Sequence, residues 1–274
     1  MRVTWDQLLH PGDADRFFER TPLPAFEPEA ADFAPANAWW LAELSRIVYR
    51  RDLGETAAAL RPLRRELLRQ VGWEELEFFR VDATGSAALL LHTQQRSPCA
   101  VLIFRGTEQE IQDFMHDADT LPVPAFNGSV LVHRGFKRAL NSLWTPIAAA
   151  LDRLDCPVFY TGHSLGAALA TLAAARRPPH ALYTFGSPRV DDRRLVARLA
   201  DVPIFRVVHG SDLVTTVPPE TLGFRHAGNE CRIGNSARRP LQLDAADLWN
   251  RLTTPIDALA DHAPISYVRA LRSL

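Results

Sequence analysis

With 274 residues, 47% of them hydrophobic and 23% charged, the chain has the composition of an ordinary globular protein with one sizeable core. Its 31 basic and 32 acidic side chains leave a net charge of −1, which excludes a global field favouring nucleic acid or an anionic membrane. No segment approaches the roughly eighteen uninterrupted apolar residues of a membrane-spanning helix, and the opening MRVTWDQLLHPGDADRFFER lacks the apolar stretch of a secretory signal, so a cytoplasmic location is the default expectation.

Residues 1–35 carry Pro11, Pro22, Pro24, Pro28 and Pro35 with few periodic apolar positions, which predicts an extended arm laid on a domain spanning residues 36–274. NAWWLAELSRIVY sets Trp40, Leu41, Leu44, Ile47 and Val48 on one helical stripe, read as core packing, and a second helix is expected over ETAAALRPLRRELLRQV. From residue 77 the period shortens. EFFRVDAT and AALLLHTQ read as neighbouring strands and CAVLIFRG as a central strand apolar on both faces. Then FKRALNSLWTPIAAALDRL (helix), PVFYTG (strand), SLGAALATLAAARR (helix), HALYTFGS (strand), DDRRLVARLA (helix) and VPIFRVVHG (strand) alternate. That order calls for an α/β fold with a mostly parallel sheet and right-handed crossovers. Cys99, Cys156 and Cys231 are too few and scattered for a disulfide framework or a metal ribbon, and are read as reduced thiols.

The turn between PVFYTG and the alanine-rich helix reads Gly162-His163-Ser164-Leu165-Gly166. The Gly-x-Ser-x-Gly pattern alone is weak, but between a strand and a helix it describes a nucleophile elbow. Glycine at both flanks lets strand and helix pass closely, Ala167, Ala168, Ala170, Ala173 and Ala174 let the helix lie tightly on the sheet, and the helix N-terminus favours developing negative charge. A serine hydroxyl needs a base, and the base needs a carboxylate. On such a fold they follow in the order Ser, Asp or Glu, His. Asp212, just past the strand VPIFRVVHG, is the candidate carboxylate. His180 comes too early and His209 precedes Asp212, leaving His262 or His226 as the base; His262, at the loop-to-helix junction DHAPISYVRAL, is favoured over His226 in GFRHAGNE.

Taken together, VLIFRGTE, VHRGF, TGHSLGAALA, FGSPRV, RVVHGSDLVTTVPP and DHAPISYV resemble the class 3 lipase family, the α/β-hydrolases typified by filamentous-fungal triacylglycerol lipases, over most of residues 95–270. The resemblance implies an α/β-hydrolase fold, with a mostly parallel central sheet and helices on both faces. It implies Ser164 as nucleophile, Asp212 as carboxylate and His262 as base, with an oxyanion hole from Thr107 and the Leu165 N–H. His163 then packs rather than reacts, and His133 resembles a structural residue of the family. EQEIQDFMHDADTLPVPAFNGS falls where the family places its lid, with Ile111, Phe114 and Met115 as a small apolar stripe and Leu121, Val123 and Phe126 further along. So small a stripe implies modest interfacial activation, a transient contact with lipid at most, and a preference for dispersed esters of short to medium acyl length. Residues 1–90 match the family loosely, and neither its secretory leader nor its disulfides are expected from this sequence. The implied activity is hydrolysis of acylglycerol or related lipid esters. Phospholipase A1-type or small-ester chemistry would use the same triad, and a non-catalytic lipid-binding or interaction module is the reading outside catalysis. No metal or organic cofactor is expected, because no HExxH, Walker or Rossmann fingerprint is present.

Overall fold

A computed structural model of the chain describes residues 3–14, 16–55, 59–93, 97–106, 122–126, 128, 130–190, 193–234 and 255–274. In chain order its helices and strands are α1 (Trp5–Leu9), α2 (Pro35–Ile47), α3 (Arg64–Gln70), β1 (Glu74–Val81), β2 (Ser86–Thr93), β3 (Cys99–Phe104), β4 (Pro122–Ala125), β5 (Val130–His133), α4 (Arg134–Leu151), β6 (Val158–His163), α5 (Leu165–Arg176), β7 (Ala181–Phe185), α6 (Arg193–Arg198), β8 (Ile204–His209), β9 (Asn229–Ile233), α7 (Asp257–Ala260) and α8 (Pro264–Leu271). Among the described residues a seven-stranded sheet runs in the order β1-β2-β3-β6-β7-β8-β9, and β4 pairs with β5 alone. The β1–β2 and β2–β3 pairs are antiparallel, and every pair from β3 to β9 is parallel.

The chemistry of β3 explains its central place. Cys99, Val101 and Ile103 face one core, Ala100, Leu102 and Phe104 face the other, and all six are buried. A strand apolar on both faces needs cover on both. On one side α2 and α8 supply Trp39, Trp40, Leu44, Tyr267 and Leu271; on the other α4, α5 and α6 supply Phe136, Leu140, Leu169 and Leu195. This is the α/β-hydrolase architecture, a mostly parallel sheet with helices on both faces.

Two local expectations change, and one strand is new. Helix α2 is buried along nearly its whole length and not on one stripe, because the segment before it covers its other side. The second helix is described only from Arg64, since Pro62 follows a residue that cannot turn helical before it; residues 56–58 lie outside the described part. Strand β9 has the sequence NECRI, too polar for a period-two signal, because it is a largely exposed edge strand.

The N-terminal segment is bound through its main chain to α2 and the turn that follows it. Arg50 donates to the carbonyls of Gly12 and Ala14, and Arg46 to that of Arg16. Glu43 accepts from the Phe18 N–H, Trp40 donates to the Pro24 carbonyl, and the Asn37 amide bonds both the N–H and the carbonyl of Glu27. These five side chains recur at about helical spacing along one face, so the arm runs antiparallel to the helix that holds it.

Candidate active site

Parallel strands end on one edge of a sheet, and the turns that follow them gather there. After β3 comes Gly106, after β6 Ser164, after β7 Gly186, and beyond β8 Asp212. Ser164 takes φ 58° and ψ −128°, a left-handed backbone that costs a non-glycine residue about 1–3 kcal/mol. Its surroundings hold it there. The Ser164 N–H donates to the Phe185 carbonyl at 3.0 Å, and the Ser164 carbonyl accepts the first helical bonds from Ala167 and Ala168. The two glycines of the elbow are obligatory for space. A Cβ on Gly162 would collide with the Gly166 carbonyl, and one on Gly166 with the Phe104 carbonyl. Gly106 is in turn wedged between the Tyr49 hydroxyl and the His163 carbonyl.

His262, in the turn before α8, brings Nε2 to 3.0 Å from Ser164 Oγ. Its Nδ1 lies 2.8 and 3.0 Å from the two oxygens of Asp212, and neither side chain is exposed. Asp212 accepts two further hydrogen bonds, from the Tyr267 hydroxyl at 2.6 Å and the Val214 N–H at 2.9 Å. Burial pushes its carboxyl up, but His262 and the hydrogen bonds from His262 and Tyr267 outweigh burial and hold it below its ordinary value. Tyr267 moves oppositely: burial and the neighbouring Asp212 raise its phenol well above normal, so it remains a donor. An ionised carboxylate can only accept. The His262 proton is therefore on Nδ1, and the bare Nε2 faces the serine hydroxyl.

The other histidines have other partners. His226 Nε2 donates to the Thr215 carbonyl at 2.8 Å; burial, with Arg206 next, lowers its pKa to about 4. His209 bonds the Asp261 carbonyl at 3.2 Å, and Asp261 accepts from the Ser211 N–H at 2.7 Å, which ties the His262 turn to the Asp212 turn. His133 stacks on Phe136 with ring centroids 4.1 Å apart. His163 does more than pack: its Nε2 lies 2.6 Å from the His262 main-chain oxygen.

Leu165 opens α5, so its N–H has no intrahelical acceptor and is available beside Ser164. Thr107 and the lid stripe Ile111, Phe114 and Met115, with Leu121, lie outside the described residues. Val123 and Phe126 are described and belong elsewhere: Val123 pairs with Val132 in the β4–β5 hairpin, and Phe126 lies under the Arg198 guanidinium, 5.0 Å from its ring centroid. Sequence reasoning missed Tyr267, whose signal was an aromatic on the buried face of α8, and Gly186. At φ +58°, a Cβ on Gly186 would sit 2.8 Å from Asp212 Oδ2 and 2.9 Å from His262 Nδ1. Among the described residues no cluster of three His, Cys, Asp or Glu side chains could hold a metal ion, and no helix is long and apolar enough to cross a membrane.

Residues 101–222 match the family profile described as Lipase (class 3). A lipase of Rhizomucor miehei is 30% identical over 183 residues, covering 59% of this chain and 50% of the relative. A secreted mono- and diacylglycerol lipase of Fusarium solani is 40% identical over 111 residues, 36% of this chain and 33% of the relative. This chain thus spans half or less of the length of these relatives. Among solved structures, the Rhizomucor miehei lipase propeptide complex superposes with a TM-score of 0.55 at 25% identity, covering 73% of this chain and 68% of that one. A lipase from Rhizopus microsporus var. chinensis reaches 0.60 at 24% identity over 79% and 80%, a likeness of fold. With the elbow and the strands that frame it inside the matched segment, residues 101–222 carry the class 3 lipase pattern, and the chain is similar to these lipases over that segment.

Proposed function

We propose that this chain is a serine carboxylic-ester hydrolase that cleaves acylglycerols or related lipid esters through an acyl-enzyme on Ser164. The observation that carries the reading is the unbroken hydrogen-bonded line from Asp212 through His262 to a serine hydroxyl on a strained elbow. His262 Nε2 takes the Ser164 proton as Oγ attacks the ester carbonyl, and the imidazolium is stabilised by Asp212. The tetrahedral oxyanion accepts from the Leu165 N–H and from Thr107. The C–O bond to the alcohol then breaks, and the alcohol leaves with the His262 proton. Water repeats the attack on the acyl-enzyme, returning Ser164 and releasing the acid. Each oxyanion donor is worth about 3 kcal/mol of barrier.

The named activities of the relatives, lipase and mono- and diacylglycerol lipase, support acylglycerols as the substrate class. Contact with a lipid surface belongs to the same reading, supported by the exposed Leu213 and Leu222 beyond Asp212 and Ile256 ahead of His262. A reducing, cytoplasmic setting is supported by the free thiols Cys99, Cys156 and Cys231. The test is fluorophosphonate labelling with peptide mapping, beside hydrolysis of p-nitrophenyl esters from acetate to palmitate, tributyrin and a phospholipid. Label on Ser164, lost in Ser164→Ala together with esterase activity, is expected. An active preparation labelled elsewhere, or no hydrolysis of any ester, sinks the reading. The rate on tributyrin through its solubility limit reads the surface contact, and a modest rise is expected.

A further inference from the structure

The residue before the nucleophile is a second histidine, and its environment is unlike that of a packing residue. The His163 side chain is buried, its ring lies 4.5 Å from the His262 ring and 5.8 Å from the Tyr267 ring, and Nε2 is 2.6 Å from the His262 carbonyl oxygen. A carbonyl oxygen can only accept, so Nε2 must carry the proton. Burial, reinforced by the neighbouring His262, lowers the His163 pKa to about 3. The ring is therefore neutral at any working pH, with its proton on Nε2 and Nδ1 bare. Nδ1 is buried and has no hydrogen-bond partner among the described residues. A phenyl ring of similar volume would fill this space without burying a lone pair. What the imidazole adds is the single bond to the main chain of His262.

We infer that His163 is a positioning residue for the base: its Nε2–H pins the backbone of His262 to the nucleophile elbow and so fixes the reach of the base to Ser164. Ser164 and His163 are adjacent, so elbow and base turn are fastened to each other directly, across 99 residues of sequence. The opposite side of the base is held by Asp212, whose turn Asp261 fastens through Ser211. The neutral ring has a second consequence. When His262 becomes an imidazolium, a neutral neighbour leaves it unopposed, whereas a protonated ring there would repel it.

The inference rests on the proposed hydrolase reading, and its tests separate the two. His163→Phe keeps the volume and removes the donor; His163→Gln restores an N–H at nearly the reach of Nε2. With Tm and circular dichroism unchanged, His163→Phe is expected to lose about 100-fold in kcat, the scale of a small misplacement of a reacting group, with KM little changed. Fluorophosphonate labelling of Ser164 should slow in step. His163→Gln should recover most of the lost rate. A folded His163→Phe with wild-type kcat, or a His163→Gln as slow as the phenylalanine variant, overturns the inference and leaves the hydrolase standing. Should His163→Phe not fold, nitrogen NMR of the imidazole-labelled wild type decides. Two histidines, His163 and His226, should remain in the neutral Nε2–H form from pH 8 to pH 5, with His226→Gln removing the signal of the second, and a His163 that is protonated or carries its proton on Nδ1 there refutes the assignment. A wild type that neither hydrolyses esters nor reacts at Ser164 refutes the hydrolase reading instead.

Discussion

Acidification from pH 8 to pH 5 should destabilise the fold through two buried imidazoles. Burial, helped by His262, lowers His163 to about 3, and burial, helped by Arg206, lowers His226 to about 4, against 6.5 in an unfolded chain. Below pH 6.5 the unfolded chain binds a proton at each position and the folded protein does not. The unfolded state thus binds more protons, and stability falls as pH falls, down to about 4 for His226 and about 3 for His163. At pH 5 the unfolded imidazoles are almost wholly protonated and the folded ones are not. The difference is about 2 kcal/mol per histidine, so about 4 kcal/mol together, a large part of a typical stability of about 5–15 kcal/mol. Glu43 works the other way, because burial, partly offset by Arg46, raises its carboxyl. Urea unfolding at the two pH values reads the loss as a drop in midpoint at constant m. His226→Gln can still donate to the Thr215 carbonyl but does not titrate, and should recover about half of the loss. A change below about 1 kcal/mol between the two pH values, or a His226→Gln with an undiminished loss, would show that these rings are not held neutral by the fold.

Tyr267→Phe removes one of three donors to Asp212 and leaves those from His262 and Val214. A hydrogen bond to a charged group is worth about 1.5–3 kcal/mol, so kcat should fall about ten- to a hundredfold with KM nearly unchanged, read by steady-state ester hydrolysis. Gly186→Ala drives a methyl between Asp212 and His262 and should lower kcat about 100-fold. Gly85→Ala has a similar positive φ but open space around it, and should cost about 1 kcal/mol of stability while kcat stays at the wild-type value.

What could be read from the sequence was whatever is written in local period or in motif spacing. Strands β3, β6, β7 and β8 are short apolar runs, and α5 is a run of alanine and leucine after a glycine-flanked serine. The three residues of the expected triad came from chain order and motif, and they lie within hydrogen-bond reach of one another. Contacts made across long separations leave no such trace. Tyr267 looks like one more buried aromatic of α8 until its hydroxyl meets Asp212, 55 residues away. His163 looks like filler in the elbow until its ring meets the carbonyl of a residue 99 positions on. Edge strand β9 is hidden because an exposed strand needs no apolar face. The full burial of α2 is hidden because its cover comes from a proline-rich arm with no periodicity.

That arm has a place in the chemistry through its first helix. Thr4 caps α1 by accepting from the Gln7 N–H, and Gln7 returns the bond to the Thr4 N–H, which fixes even so short a helix. Its Leu8, with Val3, packs on Ala263, the residue after His262, and Trp5, Leu259, Ala260 and Ile265 close around them. The base turn is therefore covered by a segment some 250 positions earlier in the chain. Behind α1 the arm is held in two ways: Arg50, Arg46, Glu43, Trp40 and Asn37 bind its main chain, and its own Phe17, Phe18, Phe26 and Phe33 pack into the core. The family profile begins at residue 101, so a region that packs directly against the residue beside the base lies outside the matched segment.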